Sequence, residues 1–456
     1  MPAYTIEPKE VPKIDTKYRT IQTKIPVPES IPLLKRLRKV EARSLHWQAP
    51  IFWDRAQGVN VFDKYGNKWL DMSSGIVVTS VGHGRQEVID AVKKQADHGL
   101  LYNFTFPSEI RMQLLEKLVE ITPPYLEKGF LMSAGSEATE NALKLARKYA
   151  HITHGLEKNV IVSFQYAFHG RTLGSQMMGG LPKLKDWIKN HDPDMIQVPH
   201  PNGFYNEDVS FDLFEQTLED KGIEPERVAA VMLESYQGST VFPVPKQYAQ
   251  KLRDWTTKNG ALMLYDEVQV GFGRTGKFLG YQHYDVKPDV VCLGKAISGS
   301  LPISATLARK EIMDVFSPGE MTSTHTGNPL SCAAALANIE ILLKEELIDR
   351  CVKMGNVLEK QLAEVVERHP ICGFLSAKGL FAGIQITNPG TKTPRKDLAY
   401  KINQKLYEKG VMVFVPVGPA TVKMAPPFII PEDAIMEAVS VLDESISEVE
   451  KEEKLH

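Results

Sequence analysis

Cysteine is scarce in this chain. Four occur among 456 residues, Cys292, Cys332, Cys351 and Cys372, widely spaced and without a CxxC pair. That spacing argues against a metal site or a disulfide framework and suits a reducing cytoplasm. No run of about 18 apolar residues occurs, so no membrane-spanning helix is expected. The stretch Met1 to Lys24 lacks the apolar centre of a secretory signal, and none is expected. An excess of one charge is missing too: 54 basic residues against 56 acidic leave a formal net charge of −2. Neither that balance nor any polybasic segment points to nucleic acid or an anionic membrane surface. Internal repeats and low-complexity tracts are absent.

What is present is an ordinary apolar content, 43%, enough for a large core. The length suggests about two to three domains. Residues 1–40 read as an extended arm with a short helix around Ile31–Val40. Gly58 and Gly66-Asn67 punctuate a hairpin of Asn60-Val61-Phe62 and Trp69-Leu70-Asp71. Helical spacing follows at about 86–98 and 108–121. From 128 to 294 strand and helix patterns alternate, which implies βα units and a largely parallel sheet. After Pro329 the pattern changes to long helices with short strands at 380–386 and 411–415, and a charged tail from Glu448 that is expected to fray. We therefore expect an α/β protein. Its arm and part of a small domain would lie at 1–75, a large domain at 76–330 and the rest of the small α+β domain at 331–456.

Two apolar strand patterns end on polar residues. Ala261-Leu262-Met263-Leu264-Tyr265 runs into Asp266, and Val290-Val291-Cys292-Leu293-Gly294 runs into Lys295. Open α/β sheets place ligands at the carboxyl ends of their strands. A buried carboxylate or ammonium is costly unless paired or covalently used. Asp with Lys is the minimal pair for pyridoxal phosphate (PLP), the lysine forming a Schiff base and the carboxylate holding the pyridine nitrogen protonated.

Other stretches are ambiguous alone. Ser133-Ala134-Gly135-Ser136-Glu137 lies between a strand and a helix, and could cradle a phosphate or simply cap that helix. Phe168-His169-Gly170-Arg171 could stack on a planar cofactor and hold a carboxylate, or form a surface turn. Glu234 ends a strand, where a solvated carboxylate is the plain reading. Thr322 to Pro329 is a hydroxyl-rich loop entering a helix.

Taken together and in order, these stretches, with Asp266-Glu267-Val268-Gln269 and Gly271-Phe272-Gly273-Arg274-Thr275-Gly276, resemble the class III (ω-type) aminotransferases of fold type I. The likeness spans about Pro50 to Pro431 and is to the 4-aminobutyrate aminotransferase type. It implies PLP as cofactor, a large domain with a mostly parallel seven-stranded sheet between helices, and a small domain made from both termini. It implies Lys295 as the Schiff-base lysine and Asp266 as partner of the ring nitrogen. Val268 and Phe168 would cover the ring faces, Gln269 would lie near the ring hydroxyl, and Gly135 and Ser136 would bind the phosphate. Glu234 matches an acid near the ring and His169. Thr324 matches a threonine that reaches the phosphate of a neighbouring subunit, which implies a homodimer with shared sites, or a tetramer of such dimers. Arg171 matches an arginine for a distal carboxylate, and Ile76 a residue of the substrate pocket.

The chain departs from its relatives at two points. Ser239 stands where many carry Glu, and Ser376 where many carry the Arg of an Arg-Gly-x-Gly stretch. The resemblance makes that Glu and Arg a carboxylate switch for glutamate or 2-oxoglutarate. Losing both together avoids an uncompensated buried charge. Lys378 is a candidate replacement, although an ammonium lacks the guanidinium fork. The expected activity is ping-pong transfer of an amino group between an amine or ω-amino acid and an oxo acid. The alternative on the same scaffold is an amino-acid racemase or epimerase.

Overall fold

The computed structural model describes residues 4–455. They divide into two compact units: Gln86–Ile348, and the segments up to Arg85 and from Asp349 on. The divisions drawn from composition fell at 75/76 and 330/331. The helix Pro329–Lys344 packs on Gln86–Asp97 and Glu109–Ile121, which places it in the first of these units.

That unit carries a seven-stranded sheet. Its spatial order is Lys128–Met132, Ser304–Ala308, Val290–Leu293, Leu262–Asp266, Val228–Glu234, Val160–Phe164, Met195–Val198. Only Ser304–Ala308 runs antiparallel to its neighbours. The central strands are buried along their whole length, as strands covered on both faces must be, and so read as unbroken apolar runs. Helix Gly135–His154 turns Ala138, Ala142, Leu145 and Ala146 onto Ala230, Met232, Leu264 and Val290. Its small residues let it lie close to the sheet. After Leu293 the chain makes a short 3₁₀ turn, Lys295–Ile297, and later returns as the antiparallel strand. Lys295 is thereby held at the carboxyl edge where Asp266 and Glu234 also end.

The other unit holds two sheets. Ile14–Asp15, Thr20–Ile21, Lys68–Asp71, Asn60–Phe62 and Arg55–Gln57 pair in that order, and Val411–Met412 joins Lys68–Asp71 in parallel. Cys372–Lys378, Phe381–Ile386 and Thr421–Met424 form an antiparallel three-stranded sheet. The hairpin expected at 60–71 is present, with Val61 opposite Trp69. The tail does not fray as expected: its helix runs Glu432–Glu453. Lys405 and Lys409 pair with Glu448, His369 with Glu450 and Lys401 with Glu453, so the acidic residues are neutralised on one face.

In this same unit Ser74, Gly75, Ile76 and Val77 are four consecutive left-handed residues, with φ of 51°, 55°, 67° and 56°. For non-glycine residues that costs about 1–2 kcal/mol each. Asp71, fully buried, holds the turn. Its Oδ1 accepts from Ser73 N (2.7 Å) and Ser73 Oγ (2.6 Å). Its Oδ2 accepts from Gly75 N (2.8 Å) and meets His83 Nε2 at 2.7 Å. Burial works against the charged carboxylate, but His83 and Ser73 outweigh it and hold the Asp71 carboxyl below its usual range. A depressed carboxyl stabilises the fold above its unfolded pKa of about 3.9, and that contribution is lost as pH falls through the folded value. Asp71→Ala should cost about 3–5 kcal/mol by urea denaturation at neutral pH. The deficit against wild type should shrink in acid.

No helix among the described residues is long and apolar enough to cross a membrane, and none of their His, Cys, Asp and Glu side chains cluster as a metal site would.

Candidate active site

The carboxyl edge of the seven-stranded sheet gathers three ionisable groups from three adjacent strands. Asp266 and Glu234 are direct partners across Leu262–Asp266 and Val228–Glu234, and Asp266 pairs with Cys292 on the other side. Lys295 follows two residues after Leu293, with φ of 44°. That left-handed conformation is uncommon for a non-glycine residue and recurs where a side chain must be aimed.

Asp266 is almost wholly enclosed. Its Oδ1 accepts from Val268 N (3.0 Å), and Oδ2 lies 2.8 Å from His169 Nδ1. His169 is 2% exposed, and its Nε2 has no hydrogen-bond partner among the described residues. Burial opposes a charged imidazole, yet the bond to Asp266 and the fields of Asp266 and Glu234 prevail, and the pKa of His169 rises. Glu234 accepts from Gly238 N (2.6 Å) and Phe168 N (3.0 Å). Burial pushes its carboxyl up to about 7, opposed by His169. Burial also lowers the Lys295 amine, against the pull of Asp266 and Glu234. Its amine makes no hydrogen bond or ion pair with another described residue.

Helix Gly135–His154 delivers its first turn to the same edge. Glu137 Oε2 accepts from Ser133 N (2.7 Å) and Ala134 N (2.9 Å), leaving the amides of Gly135 and Ser136 without a partner among the described residues. Val268 is wedged between two glycines. A Cβ on Gly135 would come within 2.6 Å of it, and one on Gly294 within 3.1 Å. Gln269 presses on Gly238, where a Cβ would stand 2.4 Å from Nε2. Phe168, His169 and Arg171 form one segment over this turn. The Arg171 guanidinium lies 5.3 Å from the Phe168 ring centroid, and its backbone N–H donates to Ser136 Oγ (3.0 Å). The guanidinium makes no ion pair with a described residue.

The remaining expected residues are placed as follows. Ser239 is buried and donates to the carbonyl of Tyr166, so a backbone oxygen engages its hydroxyl. Thr324 is exposed. Ile76 and Ser376 belong to the other unit, Ile76 on the left-handed turn and Ser376 in the strand Cys372–Lys378. Lys378 is exposed.

Two structural residues had escaped the sequence reading. Glu267 accepts from Gly280 N (2.7 Å) and Tyr281 N (2.8 Å) as well as Ser235 Oγ, and braces the loop behind Asp266. Its place beside Asp266 in sequence was the only available signal. Lys423 is in register with Ser376 through Gly383, which carries no side chain between them. It is buried, 4.0 Å from the Phe414 ring centroid.

The donor set fits PLP. An amine without an ion partner stands at the strand edge, a buried carboxylate lies beside it, and two amides at a helix N-terminus await an anion.

Comparison with known proteins agrees with that geometry. Residues 42–446 match the profile of the class III aminotransferases. The chain is 32% identical to an acetylornithine aminotransferase of Methanocaldococcus jannaschii, over 91% of this chain and 98% of that protein. It is 31% identical to a 4-aminobutyrate aminotransferase of Mycobacterium leprae, over 93% and 97% respectively. The crystal structure of a transaminase from a marine Virgibacillus superposes with a TM-score of 0.85 at 28% identity, covering 92% of this chain and 99% of that one. The chain belongs to the class III aminotransferase family. It is a PLP-dependent aminotransferase of fold type I, acting on an amino donor and an oxo-acid acceptor.

Proposed function

We propose that the donor is an amine or ω-amino acid whose far end bears a carboxylate, and that Arg171 holds that carboxylate. The observation that carries this reading is the Arg171 guanidinium beside Phe168, without an ion pair to any described residue. The curated relatives named for 4-aminobutyrate and acetylornithine support it.

PLP, when bound, takes up the electrons left as a bond to Cα breaks. The chain's own residues then have separate tasks. Lys295, with its amine lowered by burial, takes a proton from Cα and returns it, as base and then acid. Asp266, which meets His169 Nδ1 at 2.8 Å, would accept from the ring nitrogen. Gly135 and Ser136 would offer amides to the phosphate, while Val268 and Phe168 would cover the ring faces. Glu234 fixes the backbone at Phe168 and Gly238, and Gln269 lies on the same side. Ile76 shapes the donor pocket.

Ser239 and Ser376 supply no carboxylate switch.

The segment Leu100 to Phe106 exposes Leu101, Tyr102 and Phe106 beside the Thr324 loop, with the Tyr102 ring tilted against His325 at 5.4 Å and Leu101 O accepting from Asn328 (3.0 Å). This apolar surface supports a homodimer in which Thr324 serves the neighbour's site. Four buried cysteines outside any disulfide support a cytoplasmic location.

A donor panel read by the spectral change of the cofactor tests the substrate reading. Donors with a distal carboxylate should outpace matched plain amines by about tenfold or more, and Arg171→Ala should erase the difference. A preference that survives Arg171→Ala would sink the assignment.

A further inference from the structure

Thr139 lies on helix Gly135–His154, one turn after the glycine and serine placed at the phosphate, and is fully buried. Its hydroxyl is 2.7 Å from the carbonyl oxygen of His169, 2.7 Å from Ser175 Oγ and 3.0 Å from the carbonyl oxygen of Ser136. Ser175 Oγ in turn donates to Ser136 O (3.0 Å), and Ser175 N donates to Glu140 Oε1 (3.1 Å). Thr139 therefore ties the backbone at His169 to the helix, and Ser175 ties the turn that follows to Ser136.

The segment lies too close to the helix for any side chain at its middle. Gly170 has φ of 138°, and a Cβ there would meet Ser136 Oγ at 2.4 Å and Ser136 Cα at 2.9 Å. The helix thus dictates where His169 begins. The imidazole itself has a single anchor, Nδ1 against Asp266 at 2.8 Å, because Nε2 finds no partner among the described residues. A ring held at one nitrogen depends on its backbone for its aim. The ionisable groups whose fields reach it are Asp266 and Glu234, both from the sheet edge.

We propose that Thr139 is a positioning residue, whose hydroxyl, through the carbonyl of His169, aims the imidazole at Asp266 and so sets the charge that faces the ring nitrogen of PLP. Thr139 touches neither the cofactor nor the substrate. Its effect passes through one backbone oxygen and one imidazole. Valine has the same shape without the hydroxyl, and serine keeps the hydroxyl without the methyl group, so Thr139→Val and Thr139→Ser separate the bond from the packing.

The test compares both variants with wild type, each as full chain with and without PLP. The first readout is the titration of His169 in ¹⁵N-histidine-labelled protein, assigned by its loss in His169→Gln. Thr139→Val should lower the His169 midpoint by about one unit or more, and Thr139→Ser should leave it within about 0.3 unit. The second is the pH midpoint of the visible absorbance of bound PLP, which should move upward in Thr139→Val alone, because a cation near the ring has been loosened. Asp266→Ala separates the two ideas involved. If Asp266 does not serve the ring nitrogen, that variant leaves the absorbance midpoint in place, and the His169 titration alone decides for or against Thr139. An unchanged His169 titration in Thr139→Val, or an equal shift in Thr139→Ser, overturns the proposal and leaves Thr139 a packing residue.

Discussion

Lys295→Ala should abolish amino transfer, with turnover down by about 10⁴-fold or more. Three features make this the largest expected effect. The lysine is held at φ 44°, a backbone conformation that only a sharply defined turn maintains. Burial draws its amine below the usual lysine range, which favours the neutral base. It also stands beside Asp266 and Glu234, whose fields oppose that decrease. The variant should still fold and retain PLP through the phosphate turn and Asp266, while absorbance near ~410–430 nm is lost. Retention of even about 1% of wild-type turnover would remove Lys295 from the role of proton carrier.

Asp266→Ala should be the second largest loss. The first half-reaction should slow by about 10³-fold, read as pyridoxamine phosphate formation in single turnover, while PLP still attaches to Lys295. The change strips the His169 imidazole of its one hydrogen-bond partner among the described residues. The pKa of His169 is raised in the folded protein, so its contribution to stability is complete below about pH 6.5 and is lost as pH rises through the folded value. Without Asp266 that contribution disappears, and the variant should lose more stability in mild acid than at pH 9. Asp266→Asn, which keeps the shape, should slow the reaction almost as much. Near-normal turnover in either variant would refute the assigned role.

Much of the sheet was legible because its central strands are covered on both faces. Val228–Glu234 and Leu262–Asp266 announce themselves as apolar runs, and their polar last residues mark the edge where the site lies. Two strands gave no such signal. Ser304–Ala308 is built of small and hydroxyl residues. It can be buried because Ser304 Oγ donates to Ala134 O (2.7 Å) and Thr306 Oγ1 to Ala138 O (3.0 Å), carbonyls supplied by a helix some 170 residues away in sequence. Met195–Val198 is a short edge strand after a polar loop. The left-handed turn at Ser74–Val77 was hidden as well, since Ile76 and Val77 are poor residues for it. It exists because Asp71 and His83, twelve positions apart, converge on it.

At the site, Asp266 and Lys295 could be read from position alone, and the family pattern supplied the rest of the first contacts. Thr139 could not be read, because its role depends on the path of the segment 168–171 over the helix.

The strand Lys68–Asp71 is completed by Val411–Met412, made roughly 340 residues later. At about 5–20 residues per second, an elongating chain needs about 17–70 s to cover that distance. Throughout that interval Trp69, Val61 and Ile21 lack Tyr407 and Met412, which close over them in the finished protein. The sheet-bearing segment Gln86–Ile348 is complete in the meantime and can fold first. The strands between Ile14 and Asp71 are therefore among the last to become native, and their apolar residues stay uncovered until Tyr407 and Met412 have been made.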